Sequence, residues 1–159
     1  MKNMYKKVTA GKKYDLKIAT EHNEAMEISK VRAKDLPAIE LEFINNNNVG
    51  CSLHYGMALY KLLHDMGIES YIAITREENP FTKQNTKHHV SVCYLWNGER
   101  RIADPVETVK GNGEFFDVPI EVFKRQKGTI LLYDPYGEYG DKLFFEDFLA
   151  YPKETILDD

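Results

Sequence analysis

The chain has 159 residues, of which 43% are hydrophobic and 12% aromatic, and its formal net charge is −4. This composition can support a buried core, which excludes an intrinsically disordered protein. Lysine and arginine do not cluster among aromatic residues, so we expect no nucleic-acid partner.

The organisation of the chain is simple. Its length fits one domain over residues 1–159, with a core at 45–135 and an N-terminal arm and helix at 1–44. Its apolar stretches are too short to cross a membrane and its start is not a secretory leader, so we expect a cytoplasmic protein with no membrane partner. Two cysteines are too few for a disulfide scaffold, and both are expected to be thiols.

The first 44 residues are weakly patterned. Residues 1–20 are basic and predict an extended arm or an edge strand. Residues 21–33 place Ala25, Ile28 and Val31 at helical spacing and predict a short helix. Residues 36–44 alternate apolar and charged side chains after Pro37, a pattern that fits either a strand or a turn of helix.

The strongest helix signal follows the asparagine-rich stretch 45–50, which favours turns and caps. Residues 51–67 carry apolar side chains around most of the helix circumference and predict a buried central helix that ends at Gly67. After it the sequence predicts a strand at 68–77, a polar loop at 78–86, a strand near 129–134 and a short helix near 143–150. This order predicts an α+β fold with the central helix packed on an antiparallel sheet.

A β-hairpin is predicted at Asn97-Gly98, because this pair favours a two-residue turn between alternating strands. The turn sets the register: Trp96 pairs with Glu99, and every later pair follows from that one. The hairpin therefore fixes which side chains lie opposite each other along both strands.

The register selects one of two adjacent histidines. Ser91 lies opposite Asp104, so His89 is the diagonal neighbour of Asp104, at roughly 7–8 Å between backbones. His88 is one residue off and points to the other face. A carboxylate that orients an imidazole makes a general base. The alternative is that Asp104 only begins a turn with Pro105, and that His89 is a half-buried strand residue.

Cys51 stands where a loop becomes the central helix. Unpaired N–H groups at a helix start carry positive partial charge, so we expect a lowered thiol pKa and N–H groups left to stabilise an oxyanion. Cys51, His89 and Asp104 would then serve as nucleophile, base and orienting acid in acyl transfer. Residues 45–48 are candidates for a second oxyanion donor by position alone, with turn and cap roles as the alternative.

Other side chains have competing interpretations. His54, three residues after Cys51 on the same helix face, is a rival base, or simply a partly buried helix residue. The histidines and cysteines lack the spacing of a zinc site, so we expect no metal and no cofactor. Cys93 is expected to act as a small buried hydrophobe.

Three segments, NVGCSLHYGMALYKLLHDMGIESYIAI, HVSV and NGERRIADPV, resemble the transglutaminase-like superfamily over about residues 48–106. The resemblance implies a papain-like fold, with Cys51, His89 and Asp104 as a triad acting on a peptide or protein substrate. Gly50 and Ser52 stand where Gln and Trp are common in cross-linking members, which favours a cysteine peptidase or amidase. A protein-modifying acyltransferase (a transglutaminase or deamidase) and an inactive binding domain are the alternatives.

Overall fold

The computed structural model describes residues 1–78, 81, 85–128, 130–137 and 140. Within them lie six helices and seven strands: α1 (Lys2–Thr9), β1 (Lys13–Tyr14), α2 (Leu16–Ala25), α3 (Leu36–Asn47), β2 (Val49–Gly50), α4 (Ser52–Asp65), β3 (Ser70–Glu78), β4 (Asn85–Trp96), β5 (Glu99–Ala103), α5 (Pro105–Val109), β6 (Asp117–Pro119), α6 (Ile120–Lys127) and β7 (Leu131–Tyr133). The predicted helix near 143–150 and most of the predicted loop 78–86 lie outside the described residues.

A five-stranded sheet with strand order β6-β5-β4-β3-β7 forms the centre of the fold, and every neighbouring pair is antiparallel. Successive side chains of a strand point to opposite faces. Ile72 and Ile74 of β3 therefore pack in the core that α4 shares, whereas Ala73 packs in the core that contains Phe123 of α6. The α+β class and the packing of the predicted central helix on an antiparallel sheet are confirmed.

The central helix α4 begins one residue after the predicted start, and Cys51 is its N-cap. It contacts β4 closely at Gly56, where an added Cβ would lie 2.7 Å from Cγ1 of Val90. No side chain larger than hydrogen fits there unless Val90 moves. Gly56 therefore sets the distance between α4 and β4.

The prediction for residues 1–20 is wrong, because this stretch forms α1, the two-residue strand β1 and the first half of α2. Tyr5 and Val8 are fully buried at helical spacing, and the lysines between them face solvent. Asp15 caps α2 by accepting the Ile18 N–H at 3.0 Å. The helix predicted at 21–33 overlaps only the second half of α2, and single 3-10 turns at Ile28–Lys30 and Ala33–Asp35 follow.

Residues 36–44, for which the sequence allowed a strand or a turn of helix, belong to the helix α3. Pro37 lies in the first turn of α3, where a missing N–H costs nothing. The helix continues through Asn47, so the turn predicted at 45–50 begins later than expected. Asn48 ends the helix in a left-handed conformation with φ 58°, and β2 then pairs in parallel with β1.

Candidate active site

The hairpin has the predicted register. Trp96 lies opposite Glu99, and both turn residues have positive φ, 50° at Asn97 and 76° at Gly98. Val92 pairs with Ala103, the last residue of β5, so Asp104 is the next residue along the ribbon. The geometry predicted from the Asn-Gly pair is therefore confirmed.

His89 and Asp104 form a direct contact, with 2.7 Å between His89 Nε2 and Asp104 Oδ2. The Asp104 side chain is only 4% exposed and that of His89 is 30% exposed, so the acid is buried and the imidazole reaches the surface. Asp104 also begins α5 with Pro105, as the alternative interpretation had it. The two roles coexist because the helix start uses the backbone and the histidine contact uses the side chain.

The backbone of Asp104 is held on both sides. Its N–H donates to the Phe116 carbonyl at 3.1 Å, and its carbonyl accepts the Tyr5 hydroxyl at 2.9 Å. Its second carboxylate oxygen, Oδ1, is buried and has no hydrogen-bond partner among the described residues. A fixed backbone and a buried carboxylate hold the acid ready to orient His89.

Ser52 joins the start of α4 to the strand that carries His89. In the hairpin register the N–H of Val90 points to the β5 side of β4, but β5 has already ended at Ala103. Ser52 Oγ accepts this N–H at 3.2 Å. The start of α4 thus takes the position that a longer β5 would fill. Ser52, which follows Cys51, contacts Val90, which follows His89.

Cys51 is half-buried, and burial raises the pKa of its thiol. The N–H groups of Leu53 and His54 and the charge of Lys110 lower this pKa, but by less than burial raises it. The expected lowering is therefore wrong in its net direction, because the helix start supplies favourable N–H groups inside a desolvated site. At neutral pH the thiol keeps its proton.

His54 is fully buried, not partly buried as expected, and it binds the backbone of Cys51. Its Nδ1 accepts the Cys51 N–H at 3.1 Å and lies 3.5 Å from Sγ. A neutral imidazole that accepts at Nδ1 carries its proton on Nε2. This Nε2–H donates to Asn23 Oδ1 at 2.8 Å.

This arrangement argues against His54 as the base. The lone pair that would take the thiol proton already accepts a backbone N–H. Burial lowers the pKa of His54 to about 3, so the ring stays neutral. Among the described residues, Sγ of Cys51 lies within hydrogen-bond distance of His54 Nδ1 but makes no hydrogen bond to His89, so the resting thiol is not yet paired with its proposed base.

Sequence reasoning missed Asn23 and Glu40, which lie behind His54. Glu40 Oε2 is 2.9 Å from His54 Nε2 but off the direction of its N–H, and has no hydrogen bond among the described residues. The sequence held one signal: Glu40 lies midway between Leu36 and Ile44, four residues from each, and all three are fully buried. A charged residue on an otherwise apolar helix face marks a buried polar contact.

Two groups of side chains have metal-ligating atoms within 4.8 Å of one another: His22, Glu40 and His54, and His89, Asp104 and Glu107. In the first, the proton on His54 Nε2 occupies the position a cation would need. In the second, His89 Nε2 is bonded to Asp104, and Glu107 accepts from Asn112 at 2.8 Å. In both groups a histidine nitrogen that would bind the ion is already hydrogen-bonded, so we assign neither group to a metal.

The remaining cysteine and histidine lie apart from this site. Cys93 is 1% exposed in the core that contains α6, and burial raises its pKa to about 12. It packs as the expected small hydrophobe. His88 is exposed and pairs across the sheet with Arg76.

Comparisons with protein-family models, with curated proteins and with solved structures return no match to this chain. In the part of the chain that the structure describes, no helix is long and apolar enough to span a bilayer. Function must therefore be inferred from the residues and their geometry.

Proposed function

We propose that the chain is a thiol-dependent acyl-transfer enzyme with a papain-like, transglutaminase-like core, which hydrolyses an amide bond in a peptide or protein. Cys51 is the nucleophile, His89 the base and Asp104 the residue that orients the base. The observation that carries the proposal is the 2.7 Å contact between His89 Nε2 and Asp104 Oδ2, on the strand that Ser52 ties to the start of α4.

The contact with Asp104 assigns the two ring nitrogens of His89. Nε2 is occupied by the carboxylate, so Nδ1 is the atom that accepts the thiol proton. Because burial raises the pKa of Cys51, the enzyme at rest holds a neutral thiol. The base must then remove the proton as the sulfur attacks, once substrate has brought Cys51 and His89 together.

The reaction proceeds in two steps, acylation of Cys51 and hydrolysis of the resulting thioester. The sulfur of Cys51 forms a bond to the carbonyl carbon while its proton passes to His89. The imidazolium then protonates the leaving amine as the C–N bond breaks, which leaves a thioester on Cys51. Water, deprotonated by His89, attacks the thioester, releases the carboxylic acid and restores the thiol.

We place the substrate against the exposed surface beside Cys51. The Asp15 N–H donates to the Gly50 carbonyl at 3.2 Å, which brings the start of α2 next to the nucleophile. Leu16 and Ile18 of α2 are exposed large hydrophobic residues, as is Tyr14 before them. Tyr14 and Leu16 flank the bond to Gly50 and offer an apolar contact for a peptide near the reacting carbonyl.

Acylation by p-nitrophenyl acetate tests the triad without knowledge of the natural substrate. We expect mass spectrometry to find a thioester on Cys51, absent in Cys51→Ala. His89→Gln should slow its formation by about 10²-fold or more, the usual contribution of a positioned base. His88→Gln is the matched control and should leave the rate unchanged. Equal loss in both histidine variants, or acylation elsewhere at the same rate, refutes the assignment.

A binding domain without activity is the second candidate, favoured by the raised pKa of Cys51 and by the lack of a Cys51–His89 hydrogen bond among the described residues. It predicts that Cys51 forms no thioester with the ester probe.

Transfer to an amine is separated from hydrolysis by adding a fluorescent primary amine to the acylated enzyme. Release of a fluorescent amide, rather than free acetate, would identify a transferase.

A further inference from the structure

Two imidazoles belong to the start of α4 and to the strand that Ser52 ties to it, and each imidazole has a carboxylate beside it. The outer pair is His89 with Asp104, and the inner pair is His54 with Glu40, 2.9 Å apart. We propose that His54 is a positioning residue: it fixes the backbone of the nucleophile and takes no proton during the reaction. The inference rests on the proposed role of Cys51.

The bond between His54 and Cys51 is half of a reciprocal cap. The Cys51 side chain accepts the backbone N–H of His54. In return, Nδ1 of the His54 ring accepts the backbone N–H of Cys51 at 3.1 Å. In the common form of this cap the first residue is Ser or Thr and the fourth is Glu or Gln. Here a cysteine and a histidine take those places, so the cap that starts α4 also restricts the backbone and the sulfur of Cys51.

An imidazole fixes its partner more firmly than a glutamine would, because the ring is rigid and has bonds at both ends. Nδ1 holds Cys51, and Nε2–H donates to Asn23 of α2 at 2.8 Å. Glu40 of α3 lies 2.9 Å from the same nitrogen. His54 thus connects the position of Cys51 to two neighbouring helices.

The cap requires a neutral ring in one tautomer. An imidazolium would turn an N–H at Nδ1 towards the N–H of Cys51, and the bond would be lost. Burial keeps the ring neutral by lowering its pKa to about 3. While the bond holds, the Cys51 N–H is also unavailable to an oxyanion, so that donor must come from another group.

A pair of variants separates positioning from proton transfer. His54→Gln supplies the acceptor of the common cap, whereas His54→Leu supplies none. His64→Gln is the matched control, since His64 lies on the same helix and is exposed. Each variant is acylated with p-nitrophenyl acetate and alkylated with iodoacetamide. Acylation needs Cys51 aligned with its base, whereas alkylation needs only a thiolate, so the ratio of the two rates reports on positioning.

We expect the ratio of acylation to alkylation to fall about tenfold in His54→Leu, to recover to within about threefold in His54→Gln, and to stay unchanged in His64→Gln. An unchanged ratio in His54→Leu overturns the proposal. So does equal impairment of both His54 variants, since an acceptor at position 54 would then not be what aligns Cys51.

Nitrogen-15 NMR of the unmodified protein decides the question if His54→Leu does not fold. We expect an unprotonated Nδ1 and a protonated Nε2 in His54 at neutral pH. The opposite tautomer or a protonated ring overturns the proposal. This measurement needs no activity, so it gives an answer even if Cys51→Ala shows that the proposed function is wrong.

Discussion

The contact at Gly56 gives the sharpest test of how α4 is placed on the sheet. In Gly56→Ala the new methyl carbon would lie 2.7 Å from Cγ1 of Val90 and at ordinary contact distance, 3.6 Å, from Cβ. One methyl group of Val90 therefore carries nearly all of the clash. Removing it in Val90→Ala should relieve the strain, so the two substitutions should be strongly coupled.

The expected magnitudes follow from opposing terms. Alanine gains about 1 kcal/mol over glycine inside a helix, while overpacking a core costs about 1–3 kcal/mol, so Gly56→Ala should destabilise by about 1 kcal/mol. Val90→Ala removes two buried methyl groups and should cost about 2 kcal/mol. In the double variant the methyl group added at position 56 is accommodated and the helix gain remains, so the total should be about 1 kcal/mol, where simple addition gives about 3.

Urea unfolding of the four proteins measures the coupling, provided that their m-values agree. Acylation of Cys51 should slow in Gly56→Ala and recover in the double variant, because the same contact sets where the start of α4 meets β4. The clash is refuted if Gly56→Ala is more stable than the parent protein, or if the two effects add to within about 0.5 kcal/mol.

Three further predictions concern the surroundings of the site. Ser52→Ala leaves the Val90 N–H without its acceptor and should lower the free energy of unfolding by about 1–2 kcal/mol. Urea unfolding measures this loss, and Ser52→Thr should recover it. Equal stability of all three proteins would contradict the hydrogen bond. Folding raises the pKa of Cys93 to about 12, so the folded protein keeps a proton that the unfolded chain loses above about pH 8.5. Stability should therefore fall with rising pH by up to about 1.4 kcal/mol per unit, and less so in Cys93→Val; parallel pH curves would contradict this. The charge of Lys110 lowers the pKa of Cys51, so Lys110→Gln should move the pH midpoint of iodoacetamide alkylation upward relative to Lys127→Gln, and a downward shift would contradict it.

Local signals in the sequence were enough for the hairpin and the central helix. The Asn97-Gly98 turn admits one register, and that register brings His89 and Asp104 together. Because α4 carries apolar side chains around most of its circumference, it had to be buried in any fold of this chain. Both predictions depend on a few adjacent residues, which is why they could be made without the fold.

The N-terminal helices were missed although α1 carries a legible pattern. Its apolar side chains form only a narrow stripe, made by Met1, Met4, Tyr5 and Val8. The lysines between them make the stretch look polar overall. The elements α5, β6 and α6 carry no comparable signal and form where Asp104, β5 and the second core provide contacts. Weak local preference leaves such segments to be decided by tertiary packing.

The sequence by itself determined which histidine faces which carboxylate and where the cysteine helix begins, because a two-residue turn and a helix start are fixed by neighbours along the chain. The ionisation of Cys51 and the partner of its N–H were decided only by the tertiary structure. Burial outweighed the favourable charge at the helix start, and helices α2 and α3 brought Asn23 and Glu40 to His54 from 31 and 14 residues away. Desolvation and long-range contacts depend on what surrounds a group in space, and no short stretch of sequence carries that information.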